Sequence, residues 1–71
     1  MEIIEIKDEY IKLGQAMKLA GMAGSGVDAK ILIQEGLVTV NGIVEVRRGR
    51  KLRSGDIVTF NGESIQIHGC S

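Results

Sequence analysis

The chain has 71 residues, of which 44% are hydrophobic, and its nine basic residues balance nine acidic ones. A chain this short forms one small domain with a marginal core, which excludes a large substrate cleft, and the hydrophobic fraction argues against disorder. Proline is absent and glycine occurs ten times, so the turns depend on glycine. We expect a single domain over residues 1–71.

The first part of the chain predicts a strand followed by a helix. Isoleucines that alternate weakly over residues 2–7 predict a short strand. A helix is predicted over residues 11–20, ended by Gly21, because its apolar residues follow the i, i+3, i+4, i+7 spacing of one buried stripe. The stripe consists of Leu13, Ala16, Met17 and Ala20, and Lys12 and Lys18 fall outside it.

A second helix is predicted over residues 26–35. Ser25 is a strong N-cap residue, and Asp28 stands at the capping-box spacing in place of the usual glutamate. Gly36 closes the helix. Apolar residues cover most of the helix circumference, so we expect this helix to be largely buried.

The second half of the chain predicts short strands joined by turns. Alternation predicts strands over residues 37–40 and 43–46, and Asn41-Gly42 between them favours a type I′ hairpin because both residues tolerate positive φ. A strict two-residue loop sets Val44 opposite a threonine, so a bulge or a longer loop stays an alternative.

Two more strands are predicted over residues 57–60 and 64–67, after turns at 54–56 and 61–62. The order is a strand, two helices and a run of strands. This order indicates an α+β fold rather than a βαβ unit, with the helix pair covering one face of a small sheet.

Residues 47–53, here called the basic segment, hold most of the positive charge. Five of the seven are cationic, which leaves four basic residues against nine acidic ones elsewhere. Crowded like charges repel, so such a cluster is usually retained for an anionic partner, most often nucleic acid. The alternative is a solvated loop that maintains solubility. The cationic residues are Arg47, Arg48, Arg50, Lys51 and Arg53, and Leu52 anchors the segment.

The start of the second helix is another candidate for phosphate contact. Free N–H groups, the helix dipole and the Ser25 hydroxyl favour an anion there, Gly26 lets a backbone approach, and Lys30 lies one turn on. An ordinary N-cap is the alternative for Ser25. The combination with the basic segment favours a phosphate site, if the two converge in space.

Other chemistry is poorly supported by the sequence. There is no Ser/His/acid set, no Cys–His pairing and no Walker-type loop, and Glu45 with Asp56 could form a carboxylate pair only by chance. Cys70, the single cysteine, and the lone His68 are interpreted as tail residues without a role. We therefore expect neither catalysis nor a cofactor or metal.

Composition also constrains the partner and the location. Tyr10 and Phe60 are the two aromatic residues, and Phe60 is predicted to lie in the core. Folded or duplex RNA, read through phosphates and shape, is therefore favoured over stacked single strands. No apolar run approaches the roughly 18–20 residues that cross a bilayer, and the acidic start lacks the features of a signal peptide. We expect a soluble, cytoplasmic monomer.

An ordered set of motifs, spread over residues 10–60, resembles a known family. Its parts are Leu13 to Ala20, Ser25-Gly26, Ala29-Lys30, Glu35 to Gly42, Glu45 to Leu52, and Gly55 to Val58. The set resembles the RNA-binding domain first named for ribosomal protein S-four, also called the alpha-L motif. More narrowly, it is similar to the small stand-alone bacterial form of that domain, the YaaA/YbcJ-like family.

The resemblance implies two helices packed on a small, bent, mostly antiparallel sheet, and binding to structured RNA, often ribosomal. It places RNA contacts at the helix end and in the basic loop, adds a family lysine at Lys18 and marks the turn at Asn41. The full predicted set is Lys18, Ser25, Gly26, Lys30, Asn41, Arg47, Arg48, Arg50, Lys51 and Arg53. Two positions depart from the family, since Val27 replaces a second glycine and Lys12 replaces a capping threonine.

Two alternatives to RNA binding remain. The basic segment could dock on an acidic protein, for instance a ribosome-associated factor, or it could merely solubilise the edge of the sheet. If RNA is the partner, alanine at Arg47, Arg48, Arg50 and Lys51 should weaken binding without unfolding the domain.

Overall fold

A computed structural model describes residues 1–69. The interpretation of Cys70 lies outside the described residues. The elements are, in chain order, β1 (Glu2–Ile6), β2 (Ile11–Lys12), α1 (Leu13–Leu19), α2 (Gly26–Gln34), β3 (Val38–Val40), β4 (Ile43–Val44), β5 (Lys51–Leu52), β6 (Ile57–Phe60) and β7 (Glu63–Gly69).

The strands form two sheets. Five of them make one sheet in the order β1-β7-β6-β3-β4, while β2 and β5 make a separate two-stranded ribbon. β1 runs parallel to β7, and the other neighbouring pairs of the large sheet are antiparallel. The predicted α+β architecture with a small, mostly antiparallel sheet is confirmed.

One buried cluster joins the helices to the sheets. Leu13, Met17 and Ile33 from the helices meet β-strand residues such as Val58 and Ile65, and all five are almost fully buried. Burying a large aliphatic side chain stabilises the fold by about 1.5–3 kcal/mol. Phe60 is partly buried and packs against this cluster without being one of its buried members, so its predicted place in the core is confirmed only in part.

α1 is shorter than predicted because Ile11 and Lys12 form β2 instead of a first helical turn. They pair with Leu52 and Lys51 of β5, a strand that the sequence did not predict. Lys12 becomes the N-cap residue of α1, and its side chain makes no capping hydrogen bond. Local periodicity could not reveal this pairing, since it joins residues about forty positions apart. The predicted buried stripe of α1 is confirmed.

α2 begins as predicted, but its burial was predicted wrongly. The Asp28 amide donates to Ser25 Oγ at 3.2 Å, which confirms the N-cap. Only Ala29 and Ile33 of this helix are buried, whereas Val27 is 66% exposed and Ile31 is 51% exposed. α2 contacts its neighbours through one stripe, and within residues 1–69 nothing covers the opposite side.

The β3–β4 hairpin has the strict two-residue loop. Val40 pairs with Ile43 and Thr39 with Val44, without a bulge. Asn41 and Gly42 both have positive φ, 54° and 84°, as a type I′ turn requires. β4 is shorter than predicted and ends at Val44, three residues before the basic segment begins.

The last strand is longer than predicted. β7 continues to Gly69 and lies between β1 and β6, with His68 opposite Glu5 of β1. The interpretation of His68 as a tail residue is therefore wrong, because His68 is paired within the large sheet. The sequence did not reveal this pairing, since β1 lies at the other end of the chain.

The longer helix has nine residues, and no helix within residues 1–69 is long and apolar enough to cross a bilayer.

Candidate nucleic-acid interface

The basic segment is held against the first turn of α1 by backbone hydrogen bonds. The Leu13 amide donates to the Arg50 carbonyl at 2.9 Å, and the Gly14 amide donates to the Arg48 carbonyl at 3.1 Å. The first N–H groups of a helix have no acceptor within the helix, so the basic segment caps α1. The Arg50 amide also donates to the Arg47 carbonyl at 3.2 Å, which closes a turn. The backbone that carries these arginines is therefore fixed in place.

Glu45, for which no binding role was predicted, binds two of the five cations of the basic segment. Its side chain is only 7% exposed. Glu45 Oε1 accepts from Arg47 Nε at 3.0 Å and from the Arg47 amide at 3.1 Å. Glu45 Oε2 accepts from Arg50 Nη1 at 2.9 Å and from Arg47 Nη2 at 3.2 Å. The chance pairing of Glu45 with Asp56 does not occur. The i, i+2 spacing to Arg47 was the signal that could have revealed the pair.

The Glu45 carboxylate offsets one of the two charges and gives these arginines a structural role. Arg47 keeps a side chain that is 74% exposed, whereas that of Arg50 is 33% exposed. Arg47 therefore still presents its guanidinium to solvent, while Arg50 is turned toward Glu45. Their contacts with RNA stay predictions.

Hydrogen bonds from Arg47, and then from Arg50, lower the pKa of Glu45 from 4.5 to about 2, although burial raises it. A carboxyl group whose pKa is depressed by folding stabilises the protein above its unfolded pKa. Its contribution is fully present above pH 4.5 and is lost as the pH falls toward 2.

We therefore expect the melting temperatures of wild type and Glu45→Gln to converge as the pH is lowered from 4.5 to about 2. Thermal melting followed by circular dichroism at a series of pH values measures the difference. A difference that stays constant over this range contradicts the assignment of the stabilising charge to Glu45.

Gly14 brings the basic segment close to α2. A Cβ atom at Gly14 would lie 3.8 Å from Arg48 Cβ and 4.0 Å from Ala29 Cβ. Ala29 stands one turn after Gly26 and directly before Lys30, whose side chain is exposed. Arg48 and the first turns of α2 are therefore neighbours on either side of Gly14.

The start of α2 has both attractive and repulsive features for an anion. The amides of Gly26 and Val27 donate no hydrogen bond to residues 1–69, and a Cβ at Gly26 would meet nothing within 4 Å. However, the Asp28 carboxylate lies at the same end, since its Oδ2 is 3.2 Å from a Cβ built at Gly24. This negative charge partly offsets the attraction of the helix dipole for phosphate.

If a phosphate binds at the start of α2, replacing Asp28 with asparagine should tighten RNA binding about two- to fivefold, because it removes a negative charge beside the free amides of Gly26 and Val27. The backbone cap from Ser25 Oγ is unaffected, since it uses the Asp28 amide. Filter binding measures the affinity, and Glu35→Gln at the other end of α2 is the matched control. Equal affinities for the two variants would place the phosphate elsewhere.

Lys18 lies one turn after Gly14 on α1 and is exposed. Its side chain lines a groove together with Glu5 of β1 and with Lys7 and Asp8 of the β1–β2 connection. Lys18 therefore shares its groove with the carboxylates of Glu5 and Asp8, and a contact of Lys18 with RNA stays a prediction.

Asn41 has a structural role in the hairpin. Its Nδ2 donates to Asp56 Oδ1 at 3.0 Å, and its Oδ1 accepts from the Ile57 amide at 2.9 Å. Asp56 Oδ2 in turn accepts from the Arg53 amide at 2.8 Å. Asn41 and Asp56 thus brace the end of the basic segment, and an RNA contact by Asn41 stays a prediction.

Lys51 and Arg53 lie together beside Tyr10. Lys51 Nζ is 4.8 Å from the centroid of the Tyr10 ring, and Arg53 Cζ is 6.0 Å from it. The sequence assigned no role to Tyr10 in the interface.

A model of the S4 domain matches residues 4–68. The chain belongs to the S4 domain family. The match spans nearly the whole described range, including the helix end and the basic segment, and the family resemblance predicted from the motifs is confirmed.

Curated relatives and a solved structure agree with this assignment. The YbcJ protein of Escherichia coli K12, named as a candidate RNA-binding protein, is 43% identical over 61 residues, which cover 86% of this chain and 87% of YbcJ. The RlbA protein of Bacillus subtilis 168, named as a candidate ribosome maturation protein, is 48% identical over 59 residues, 83% of each chain. The solution structure of E. coli YbcJ, described as having an alpha-L motif involved in RNA binding, superimposes with a TM-score of 0.73 at 39% identity. The superposition covers 96% of this chain and 87% of YbcJ.

Proposed function

We propose that the protein binds structured RNA through phosphate and shape contacts and catalyses no reaction. The observation that carries the proposal is the anchoring of the basic segment on α1, where Arg48 lies beside the start of α2. A rigid cationic surface next to free helix amides suits the regular phosphate backbone of a folded RNA. The similarity to YbcJ and to its alpha-L motif supports RNA as the partner.

We further propose that the RNA is ribosomal or ribosome-associated, which would place the protein in the cytoplasm, and that the protein acts as a monomer. The support is the similarity to RlbA, whose name connects it with ribosome maturation. The proposed contacts are those predicted from the sequence, and Arg48, Lys51 and Arg53 are the cations of the basic segment that do not bind Glu45.

The test is a salt titration with a pool of ribosomal RNA hairpins. If about five phosphates are neutralised, the affinity should fall by about two to three decades between about 50 and 200 mM salt. Absent or salt-independent binding would refute the proposal. Nuclease treatment before co-purification from cells adds a second arm, since recovery of partners that survives nuclease would indicate an acidic protein instead.

A further inference from the structure

The β2–β5 ribbon has one buried face and one cationic face. One of its two residue pairs consists of Ile11 and Leu52, and both of these residues are buried. Directly opposed residues of an antiparallel pair point to the same side, and successive residues alternate. Lys12 and Lys51, the next pair, therefore both point outward.

Tyr10 and Arg53 extend this outward face by one position in each strand. They stand two residues from Lys12 and Lys51 respectively, so the alternation places all four on one side. The distances agree, since Lys51 Nζ and Arg53 Cζ lie 4.8 Å and 6.0 Å from the Tyr10 ring centroid. A cation within about 6 Å of an aromatic ring is attracted by its quadrupole. The ring therefore helps to hold both cations in place.

The pairing of Lys12 with Lys51 is expected to destabilise the fold when no anionic partner is bound. Like charges directly opposite each other on neighbouring strands are destabilising. Within residues 1–69, neither lysine nor Arg53 forms an ion pair with a carboxylate. This contrasts with Arg47 and Arg50, which both bind Glu45. The ribbon thus retains three positive charges without an acidic partner among the described residues.

We propose that the outward face of this ribbon is a second contact for the RNA backbone, in which Lys12 and Tyr10 complete the set with Lys51 and Arg53. The inference rests on the proposed function. It adds two residues, Lys12 and Tyr10, to the proposed contacts and places them on a separate surface, the outward face of the ribbon. Lys12 supplies a phosphate contact, and Tyr10 acts as a positioning residue for the two cations beside it.

The face continues the surface already described. From β2 the chain enters α1 directly, where the Leu13 and Gly14 amides bind the carbonyls of Arg50 and Arg48. The positive surface therefore runs from the ribbon past Arg48 to the start of α2. Asp8 and Glu9 line the groove beside Tyr10 and Lys12. An RNA backbone is repelled by these carboxylates, so the contact ends at that groove.

The decisive variant is Lys12→Gln, measured with the same ribosomal RNA hairpin pool and by thermal melting without RNA. We expect the dissociation constant to rise about three- to tenfold and the slope of log affinity against log salt to fall by about one. The melting temperature should stay the same or rise, because the like-charge pair is relieved. Lys7→Gln, an exposed lysine on the acidic side, is the matched control and should bind RNA like wild type.

Tyr10→Leu tests the positioning role. It leaves every cation in place, so the salt slope should be retained while the affinity falls severalfold. If wild type binds the pool but Lys12→Gln matches Lys7→Gln in affinity and slope, the second contact is overturned and the proposed function stands. If wild type itself fails to bind, the proposed function falls, and this inference falls with it.

Discussion

Replacing Glu45 with glutamine is expected to lower the free energy of unfolding by about 2 kcal/mol. The carboxylate is buried and accepts four hydrogen bonds from Arg47 and Arg50. A glutamine of the same size cannot accept hydrogen bonds from both guanidinium groups in this way, because its amide has one acceptor oxygen and its nitrogen is a donor. Breaking a fully buried ion pair lowers the free energy of unfolding by a larger amount, but here both arginine side chains can be hydrated again. In a domain of this size the loss corresponds to a decrease of about 10 °C in melting temperature.

Thermal and urea denaturation followed by circular dichroism near neutral pH measure this loss. Glu63→Gln is the matched control, since Glu63 is an exposed strand residue of β7 and forms no ion pair within residues 1–69. Its melting temperature should equal that of wild type. A Glu45→Gln protein as stable as the control would show that the ion pairs contribute nothing to folding.

A triple variant, Arg48→Gln with Lys51→Gln and Arg53→Gln, is expected to lose most RNA binding while keeping its fold. These side chains make no ion pair within residues 1–69, so their removal leaves no buried charge unpaired. The loss of three phosphate contacts should weaken binding by about two to three decades at low salt and reduce the salt slope by about three. Filter binding over a salt series and thermal melting measure the two effects separately.

The double variant Arg47→Gln with Arg50→Gln is the counterpart to this triple variant. It removes both partners of Glu45, so its melting temperature should fall, and adding Glu45→Gln should restore part of the loss by removing the unpaired charge. The sequence-based expectation that alanine at Arg47, Arg48, Arg50 and Lys51 spares the fold is therefore revised. A triple variant that melts well below wild type, or that binds RNA normally, would contradict this division of the basic segment.

Local signals in the sequence predicted the features that depend on neighbouring residues. The Ser25 cap, the buried stripe of α1 and the Asn41-Gly42 turn each follow from a few adjacent side chains, and all three are confirmed. The family motifs added the sheet architecture, which the structure and its similarity to YbcJ bear out. For the candidate interface, the sequence identified the candidate cations but not the side chains that contact them.

The features that the sequence missed depend on distant pairings. The pairing of β2 with β5, and so the facing of Lys12 with Lys51, joins two segments separated by both helices. The burial of Glu45 and the exposure of Val27 likewise follow from where the elements pack. Apolar residues occupy most of the circumference of α2, so the sequence predicted a largely buried helix. The packing shows that α2 is held in place through one buried stripe.

The parallel pairing of β1 with β7 has a consequence for how the chain folds during synthesis. β7 is inserted between β1 and β6 and contributes Ile65 and Ile67 to the core. Joining residues 2–6 to residues 65–69 closes a loop of about sixty residues, an entropic cost that precedes the gain from burial. The large sheet therefore cannot be completed until residue 69 has left the ribosome. Every cation of the proposed interface, from Lys12 to Arg53, is synthesised before that point, so the sheet that supports these residues closes only after all of them have been made.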